Sequence, residues 1–428
     1  MKKIALIGST GSIGRQVISV VNRHPEKFKI VSIAGGFNSA LLREQAKALS
    51  PLVVCSADDN FCNDAFCSDA FCIADFRKDI CGKDNFIKDN YCENNLCKDK
   101  SCVKASGEFA ENHAKWRGAE VFTGENAFTN AIIEEAEVVV VALVGFKGII
   151  AVLDAIKKGK DVALANKESL VVGGDLVMAA AKEKGVKIIP IDSEHSAIWQ
   201  SLGFDFHRPF KKIILTCSGG AFRDYDKEKL KTATVKDALR HPNWNMGAKI
   251  TVDCATLVNK GFEVIEAHHL YNASFDDIEV IIHKESVIHS MVEYIDGAII
   301  AEMSYPSMEI PISLALSYPE RLTVDVPAVD FKNIKNLTFS APDYDRFPCL
   351  KLVTEAGRTG GLYPAVINGA NDGAVKLFLE GKIGYTDIYK SLDGALNAFG
   401  GNKSRLTYED YESANAFGGN YVKNLFGE

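Results

Sequence analysis

The sequence predicts an α/β fold, with a doubly wound, mostly parallel sheet at the N-terminus, then an α+β domain and a small C-terminal helical domain. Short β-branched apolar runs alternate with helix-periodic segments up to residue 191, which is typical of βαβ units. After residue 192 the strands follow a mixed pattern, and the C-terminal residues are largely helix-periodic. The predicted regions are 1–191, 192–315, a linker at 316–345, and 346–428.

The overall composition excludes several classes of protein. The chain has 428 residues, a formal net charge of −7 and 47% hydrophobic residues, which suffices for two or three cores. An acidic balance argues against a general nucleic-acid binder, because such proteins use Lys and Arg on phosphates. No apolar run approaches the roughly 18 residues of a membrane helix, and no signal peptide is evident. We expect a cytoplasmic protein with no membrane partner.

The first elements follow a regular order of strand, loop, helix, strand, helix and strand. Apolar residues in the first predicted helix recur at the spacing of one helix face. The predicted elements are strand 4–7, helix 12–23, strand 28–33, helix 40–49 and a strand beginning at 53.

A five-residue repeat interrupts this pattern from Asp59 to Cys102. Aromatic residues keep strict register through most of it, and eight of the 11 cysteines lie between Cys55 and Cys102. Three interpretations remain open: a low-complexity surface insertion, a short β-solenoid, or a metal- or redox-responsive segment. We favour an insertion with local coiled order that is dispensable for activity.

The alternation of predicted strands and helices resumes near Glu120. A short strand and a helix around 126–135 precede the apolar run Val138–Leu143, which is predicted as a buried parallel strand. The segment from Pro306 to Pro327 is rich in proline and is predicted as a connection. The other predicted strands are 161–165, 186–191, 213–216, 278–282, 291–294 and 298–302, and the other predicted helices are 149–158, 175–184, 351–379 and 383–399.

A glycine-rich loop, Gly8-Ser-Thr-Gly-Ser-Ile-Gly14, lies between the first strand and the first helix. Glycines at this position permit close backbone approach, and the helix N-terminus offers N–H groups to a pyrophosphate. The sequence therefore predicts a Rossmann-like dinucleotide site. An NAD site has an acidic residue at the end of the second strand, but residues 34–38 contain none, which favours NADP.

Two carboxylates, Asp192 and Glu194, follow the strand that ends the parallel sheet. In an extended chain, side chains at i and i+2 lie on the same side, and the carboxyl ends of parallel strands face the ligand crevice. Close carboxylates repel unless a cation or a proton separates them. This pattern indicates a Mg²⁺ or Mn²⁺ site, and the alternative is a solvated acidic turn.

Three further motifs carry polar groups suited to a phosphorylated ligand. Ser218-Gly-Gly220 follows a strand and offers a hydroxyl and backbone N–H groups. The segment His241-Pro-Asn-Trp-Asn-Met-Gly247 has the composition of a lid. Asn259, Lys260 and Glu263 supply an amide, an ammonium and a carboxylate within five residues.

With these motifs, the chain closely resembles the 1-deoxy-D-xylulose 5-phosphate reductoisomerase family. The resemblance covers the whole chain except the repeat. It rests on GSTGSIG at 8–14, ALANKESLV at 163–171, PIDSEHSAIWQSL at 190–202, SGG at 218–220, HPNWNMG at 241–247, VDCATLVNKGFEVIEA at 252–267, VIHSMV at 287–292 and APDYDRFPCLKL at 341–352.

The resemblance implies an NADPH-dependent enzyme that needs Mn²⁺ or Mg²⁺, with Co²⁺ as a further possibility, and that forms a homodimer. It implies conversion of 1-deoxy-D-xylulose 5-phosphate into 2-C-methyl-D-erythritol 4-phosphate. Implied metal ligands are Asp192, Glu194 and Glu263. Implied catalytic residues are Lys167, Glu194, His241 and Glu263. Implied substrate contacts are Lys167, Ser193, Glu194, Ser218, His241, Cys254, Asn259, Lys260 and Glu263. Implied cofactor contacts are Thr10, Gly11, Ser12, Ile13, Gly36, Phe37, Asn38, Asn166, Glu168 and Gly247.

Two positions depart from the family pattern. Cys254 occupies the place of a serine that helps to bind phosphate, and a thiol is a weaker hydrogen-bond donor. Phe37 occupies a place where a basic residue often lies near the adenosine 2′-phosphate. We therefore expect weaker phosphate binding from Cys254 and less certain selectivity for NADP.

Two other functions fit parts of the sequence. Another NADP-linked dehydrogenase would need a catalytic Cys or a Lys–Tyr pair, and would have no use for three metal carboxylates. A nucleotide-sensing regulator could use the cysteine repeat as a redox or partner-binding element. The metal, phosphate and lid motifs together favour the reductoisomerase.

Overall fold

The computed structural model describes residues 1–61, 113–116, 118–244, 246–401 and 406–427. These residues form two compact units, Met1–Val139 and Val140–Glu428. Nearly all of the five-residue repeat lies outside the described residues, so its coiled order, metal binding and dispensability stay predictions. The four regions predicted from the sequence also stay predictions.

The first unit contains five strands in the order β4-β5-β3-β2-β1. All neighbouring pairs are parallel except β4 with β5, which is antiparallel. Fully buried apolar residues such as Ile4 and Leu6 fill the first strand, as expected for a sheet covered on both faces. The strands are β1 (Lys2–Ile7), β2 (Phe28–Gly35), β3 (Val53–Ser56), β4 (His113–Trp116) and β5 (Ala119–Thr123).

Two helices cross between the strands of this unit, namely α1 (Ser12–Arg23) and α2 (Ser39–Leu49). The helix α1 buries Val17, Val20 and Val21, which follow the helical period on one face. The helix predicted around 126–135 is wrong in type and length, because residues Ala127–Ala131 form a 3-10 helix.

The second unit continues the alternation of strands and helices. Its first strand, β6 (Val138–Val141), begins two residues before the unit itself begins at Val140. The order of its first strands is β6-β7-β8, and β7 and β8 are parallel. The elements that follow β6 are α3 (Gly148–Lys157), β7 (Asp161–Leu164), α4 (Glu168–Lys184) and β8 (Ile188–Pro190).

The helix α4 starts seven residues before the start predicted at Asp175. Every residue from Glu168 to Gly174 is buried, so this segment has no polar face that would reveal a helical period. A non-helical backbone at Gly173 (φ −135°, ψ 35°) also interrupts the helix.

A mixed four-stranded sheet follows, in the order β10-β9-β11-β12. The pair β9–β10 is parallel, while β9–β11 and β11–β12 are antiparallel. The elements are α5 (Ser193–Ser201), β9 (Lys212–Cys217), α6 (Lys227–Lys231), α7 (Val235–Ala238), α8 (Ala248–Thr256), α9 (Val258–Tyr271), β10 (Ile278–Ile282), β11 (Ile288–Glu293) and β12 (Ile299–Met303).

The proline-rich segment from Pro306 to Pro327 is not only a connection, because it contains the helix α10 (Glu309–Ser317). Pro311 lies in the first turn of α10, where a backbone N–H has no intrahelical partner, so the proline costs no hydrogen bond.

Four helices complete the second unit: α11 (Pro348–Thr359), α12 (Tyr363–Leu379), α13 (Tyr385–Ala398) and α14 (Tyr408–Phe426). Close packing of α12 on α14 depends on glycine. A Cβ at Gly369 would lie 1.8 Å from the Asn415 carbonyl oxygen, and one at Gly418 would lie 2.0 Å from that of Val366.

The predicted combination of Rossmann-like, mixed-sheet and helical regions is confirmed. Among the described residues, every helix is too short or too polar to cross a membrane.

Candidate functional site

The glycine loop of the first unit is shaped for close approach of a ligand. Gly8 has a φ of 94°, which favours glycine, and a Cβ at Gly14 would lie 2.2 Å from the Gly8 carbonyl oxygen. Gly11 is the N-cap of α1 and provides no side-chain cap to the first turn. Thr10, Gly11, Ser12 and Ile13 are at least partly accessible. The loop therefore presents backbone N–H groups at a helix N-terminus, as a pyrophosphate site requires.

The loop after β2 contains Gly36, Phe37 and Asn38. The Asn38 side chain accepts a hydrogen bond from the Leu41 N–H (3.2 Å) and so caps α2. Phe37 is 82% exposed. Arg43 lies on α2 and donates to the Phe61 carbonyl (3.2 Å). The residues predicted at this end of the site are thus accessible from solvent, apart from the capping group.

In the second unit, Asp192, Glu194 and Glu263 bring one carboxylate oxygen each within 4.8 Å of the others. The expectation that an extended chain aligns Asp192 with Glu194 is wrong, because α5 begins at Ser193. Asp192 is the N-cap of α5, yet its side chain makes no capping hydrogen bond. Glu194 lies in the first turn of α5, and Glu263 comes from α9 with 1% exposure. The end of a strand, a helix start and a second helix together form this carboxylate cluster.

Two lysines lie against the carboxylate cluster. The Lys167 ammonium is 2.5 Å from Asp192 Oδ2 and 2.9 Å from Glu263 Oε1. The Lys260 ammonium is 2.8 Å from Glu194 Oε1 and also pairs with Glu263. Three carboxylates and two ammonium groups leave a formal charge of −1.

The pKa values of the two glutamates move in opposite directions. Burial alone would raise the pKa of Glu194, but the Lys260 and Lys167 ammonium groups hold it below its ordinary value. Burial and the Glu194 charge raise the pKa of Glu263 to about 7, despite the two lysines. Burial would lower the pKa of Lys167 and Lys260, yet the carboxylates keep both above the ordinary range. Both lysines are therefore charged at neutral pH.

Ser218 and His241 form a second part of the site. The His241 Nδ1 atom accepts from the Trp244 N–H (2.9 Å), so Nε2 carries the proton of the neutral ring and donates to Ser218 Oγ (3.0 Å). Burial, and then the Arg223 charge, lower the pKa of His241 to about 4. Ser218 Oγ also accepts from the Gly220 N–H (3.2 Å). The Ser218 hydroxyl proton can therefore be donated to a ligand.

Asn259, Ser193 and Cys254 are the remaining predicted substrate contacts. Asn259 Oδ1 accepts from Lys167 Nζ (2.9 Å), and its Nδ2 donates to Glu263 Oε1 (2.5 Å). Ser193 Oγ donates to Glu194 Oε2 (2.5 Å). Cys254 is half-buried, and burial raises the pKa of its thiol well above the ordinary value. Asn259 and Ser193 therefore contact the carboxylate cluster, while the Cys254 thiol stays protonated.

Asn166 and Glu168 are buried in a different polar cluster. Asn166 Nδ2 donates to Glu168 Oε2 (3.0 Å), and Glu168 Oε1 accepts from the Gly145 N–H (3.2 Å). The Lys249 ammonium lies 3.4 Å from the same Glu168 oxygen. Gly247 caps α8, and a Cβ there would meet no atom within 4 Å. Of these three predicted cofactor residues, only Gly247 borders open space.

A buried histidine and a buried glutamate, His195 and Glu266, lie next to the carboxylate cluster and were not predicted from the sequence. His195 is fully buried, and its Nε2 lies 2.9 Å from the Glu263 carbonyl oxygen. Its Nδ1 lies 3.4 Å from Glu266 Oε2 and 3.8 Å from Asp192 Oδ2. Burial lowers the pKa of His195 to about 4. The signal in the sequence that could have revealed Glu266 is its position three residues after Glu263, on the same helix.

The comparisons with known proteins agree with these motifs. Models of 1-deoxy-D-xylulose 5-phosphate reductoisomerase match residues 4–70 and 94–174, its C-terminal domain matches 188–271, and a further DXP reductoisomerase C-terminal domain matches 303–417. The unmatched stretch 71–93 falls within the five-residue repeat.

Curated relatives align over nearly the whole chain. The 1-deoxy-D-xylulose 5-phosphate reductoisomerase of Clostridium perfringens is 43% identical over 404 residues, covering 94% of each protein. That of Chloroherpeton thalassium is 41% identical over 402 residues, covering 94% of this chain and 92% of the relative.

Solved structures agree as well. The enzyme from Zymomonas mobilis in complex with NADPH has 33% identity and a TM-score of 0.81, and the match covers 99% of each chain. A DOX-P reductoisomerase in complex with NADPH, fosmidomycin and magnesium has 32% identity and a TM-score of 0.83, covering 100% of this chain and 98% of that one. The chain therefore belongs to the 1-deoxy-D-xylulose 5-phosphate reductoisomerase family.

Proposed function

We propose that this chain converts 1-deoxy-D-xylulose 5-phosphate into 2-C-methyl-D-erythritol 4-phosphate, using NADPH and a divalent cation, in isoprenoid precursor synthesis. The observation that carries the proposal is the cluster of Asp192, Glu194 and Glu263 beside two charged lysines. Reductoisomerases align with 94% to 100% of this chain, and one of them was solved in complex with NADPH, fosmidomycin and magnesium.

The carboxylate cluster fits a divalent cation. Its ligand atoms are all carboxylate oxygens, which suit Mg²⁺ and Mn²⁺, and Co²⁺ is a further candidate. The Asp192 carboxylate makes no capping hydrogen bond to α5 and instead faces the other two carboxylates and the Lys167 ammonium, where an ion would be held. Asp192, Glu194 and Glu263 would hold the ion, which when bound supplies Lewis-acid stabilisation of substrate oxygens.

The phosphate end of the substrate is assigned to Ser218, His241, Asn259 and Lys260. The Ser218 hydroxyl is oriented by two donors, the His241 ring and the Gly220 N–H, so its own proton points to a ligand without competition. The Lys260 ammonium supplies positive charge for a phosphate dianion. Cys254 adds a weaker donor at this end.

The reacting end of the substrate is assigned to Lys167, Ser193, Glu194 and Glu263. Lys167 lies between two of the carboxylates and can donate hydrogen bonds to substrate oxygens as charge develops there.

His241, at the phosphate end, stays neutral near neutral pH, because the pKa of its buried ring is lowered to about 4. It therefore acts as a fixed hydrogen-bond donor.

In the first unit, the proposed cofactor contacts are Thr10, Gly11, Ser12, Ile13, Gly36, Phe37 and Asn38. In the second unit they are Asn166, Glu168 and Gly247. Bound NADPH supplies the hydride. The glycine loop supports this assignment, because only glycine at position 14 leaves the backbone of the loop in place. Asn166 and Glu168 hold the local backbone by their internal hydrogen bonds.

The decisive experiment is NADPH oxidation with 1-deoxy-D-xylulose 5-phosphate, with and without Mn²⁺. We expect turnover that EDTA abolishes. Glu263→Gln should lose metal-dependent turnover and Mn²⁺ binding, while it keeps NADPH binding. Glu279→Gln, which alters an exposed ion pair with Lys212, is the control and should behave as wild type. Turnover that is indifferent to EDTA, or a fully active Glu263→Gln variant, would contradict the proposal.

We further propose a cytoplasmic homodimer. The strand β12 lies at the edge of the mixed sheet, and its Ile299 and Ile300 are 52% and 47% exposed. An open edge with apolar side chains favours association with another chain. Light scattering should give a mass near twice 46.7 kDa, and Ile300→Lys should lower it. A monomeric wild type would refute the dimer, and recovery in the membrane fraction would refute the location.

A further inference from the structure

The loop that follows β9 carries Ser218, and glycine fixes its shape. Gly219 and Gly220 have φ values of 83° and 69°, which favour glycine. A Cβ at Gly220 would lie 2.3 Å from the Cys254 carbonyl oxygen, so the loop packs directly on the backbone of α8. The tight turn brings Arg223 back to the start of the loop, where its Nη1 donates to the Ser218 carbonyl (3.1 Å).

The same guanidinium nitrogen contacts two further segments. Arg223 Nη1 lies 3.4 Å from Asn243 Oδ1 and 3.1 Å from the Lys284 carbonyl oxygen. Asn243 belongs to the predicted lid, and Lys284 lies in the turn between β10 and β11. Asn243 Nδ2 donates to the same Lys284 carbonyl (3.2 Å). One nitrogen thus joins the Ser218 loop, the predicted lid and this turn, and we call these contacts the Arg223 clamp.

The Arg223 clamp lies next to two groups that we assign to the phosphate end of the substrate. In the predicted lid, the N–H groups of Asn243 and Trp244 donate to His241 Nδ1 (3.3 and 2.9 Å). On the other side of the ring, His241 Nε2 donates to Ser218 Oγ (3.0 Å). Arg223 therefore holds the main chain of Ser218 and also the side chain of Asn243, whose N–H orients the histidine ring. A shift of either segment would change the separation of the Ser218 hydroxyl and the His241 ring.

Arg223 is itself held in place through its main chain. Arg346 Nη1 donates to the carbonyl oxygens of Arg223 (3.1 Å) and Tyr225 (2.7 Å), and Arg346 Nε donates to Asp343 Oδ2 (2.8 Å). The Arg223 side chain is only 21% exposed. A planar guanidinium presents its donors in fixed directions, and a lysine ammonium does not reproduce that geometry. These features suit a residue that sets the position of other groups.

We infer that Arg223 is a positioning residue for the sugar phosphate. It fixes the Ser218 hydroxyl and the His241 ring at their binding separation, and it acts through the Ser218 main chain and the Asn243 side chain. Because the clamp acts on the phosphate end, its loss weakens substrate binding more than it slows turnover. The inference rests on the proposed function in taking the ligand to be a sugar phosphate.

The first test is steady-state kinetics of Arg223→Met with 1-deoxy-D-xylulose 5-phosphate, NADPH and Mn²⁺. We expect the KM for the sugar phosphate to rise about tenfold and kcat to fall less than about threefold. Arg223→Lys keeps the charge but not the planar geometry, so its KM should rise in the same way. The control Lys227→Met removes a cation four residues further on, in an exposed ion pair with Asp345 (3.3 Å), and should behave as wild type.

Asn243→Ala tests the same link at a half-buried position of the predicted lid, without altering the Ser218 loop. It should also raise the KM for the sugar phosphate. In the double variant with Arg223→Met, the combined effect should be smaller than the product of the two single effects, because both changes break one contact. Independent effects of the two changes would overturn the inference. A wild-type KM in Arg223→Lys would also overturn it, since the charge alone would then suffice.

Hydrogen exchange of the full chain without substrate gives a second readout. In Arg223→Met, the backbone amides of Asn243 and Trp244 should exchange faster than in wild type, while circular dichroism stays native. Unchanged exchange at these amides would overturn the inference. Because this measurement needs no turnover, a wild-type chain that fails to convert the sugar phosphate would refute the proposed function and leave the exchange result standing.

Discussion

Replacing Lys249 with methionine should destabilise the second unit strongly. The Lys249 ammonium lies 3.0 Å from Asp253 Oδ2, 3.2 Å from Asp372 Oδ1 and 3.4 Å from Glu168 Oε1. Burial alone would lower the pKa of Lys249, but Asp253, Glu168 and Asp372 raise it above the ordinary range. One charged ammonium thus faces three carboxylates, with Asn371 Nδ2 donating to Asp253 Oδ1 (2.8 Å).

The magnitude follows from the burial of the partners. The side chains of Asp253 and Glu168 are only 3% and 10% exposed, so neither carboxylate can be rehydrated once the ammonium is removed. Removing one partner of a buried ion pair costs about 3–5 kcal/mol. For a unit of this size, that loss lowers the Tm by roughly 10 °C. Methionine keeps the length of the lysine stem, so little of the effect comes from a cavity.

Thermal and chemical denaturation of Lys249→Met measure this loss. The matched control is Lys212→Met, because Lys212 forms an exposed pair with Glu279 (2.9 Å) and its removal should change the Tm very little. Adding Asp253→Asn to Lys249→Met should recover part of the stability, since it removes a stranded charge. A loss below about 1 kcal/mol, with no recovery in the double variant, would refute this reasoning.

Three further predictions follow from single positions. Gly14→Ala should abolish NADPH binding in a fluorescence titration while circular dichroism stays native, because its Cβ would lie 2.2 Å from the Gly8 carbonyl oxygen. Gly369→Ala should lower the free energy of unfolding by about 1–3 kcal/mol, since its Cβ would lie 1.8 Å from the Asn415 carbonyl oxygen. Burial, and then His268, lower the pKa of His269 from 6.5 to about 4. As the pH falls, His269 is therefore protonated in the unfolded chain before it is protonated in the folded chain. Stability should therefore fall as pH drops from 6.5 to 4, and His269→Gln should flatten that part of the pH profile; an unchanged profile would contradict the prediction.

Local signals in the sequence predicted most of the fold. The glycine loop and the alternating apolar runs depend on neighbours within a few residues, and most of the strands and helices they predict are present. The exceptions include the segment around 126–135, which holds a 3-10 helix, and the predicted helix 351–379, which is two helices. The failures have local causes too. The start of α4 is buried on all sides, so it lacks a period, and α10 contains a proline that its first turn tolerates.

The site was predictable in its residue types and not in its contacts. Spacing alone suggested Asp192 with Glu194, and the family resemblance added Glu263. The pairing of Lys167 with Glu263 spans 96 residues, and that of Lys260 with Glu194 spans 66, so no periodicity could reveal either. Lys249 is likewise far in sequence from Glu168 and Asp372, whereas its third partner, Asp253, lies four residues on along the same helix.

Consecutive residues of the chain link two clusters: the carboxylate cluster beside Lys167, and the carboxylates around Lys249. At the start of α4, the Lys167 side chain contacts Glu263, while that of the next residue, Glu168, contacts Lys249. On α8, Asp253 likewise binds Lys249 and directly precedes Cys254. Neighbouring residues cannot move independently, because the helical backbone fixes their separation. We therefore expect the carboxylates around Lys249 to support the geometry of the proposed substrate site, and Lys249→Met should reduce kcat/KM at temperatures well below its Tm.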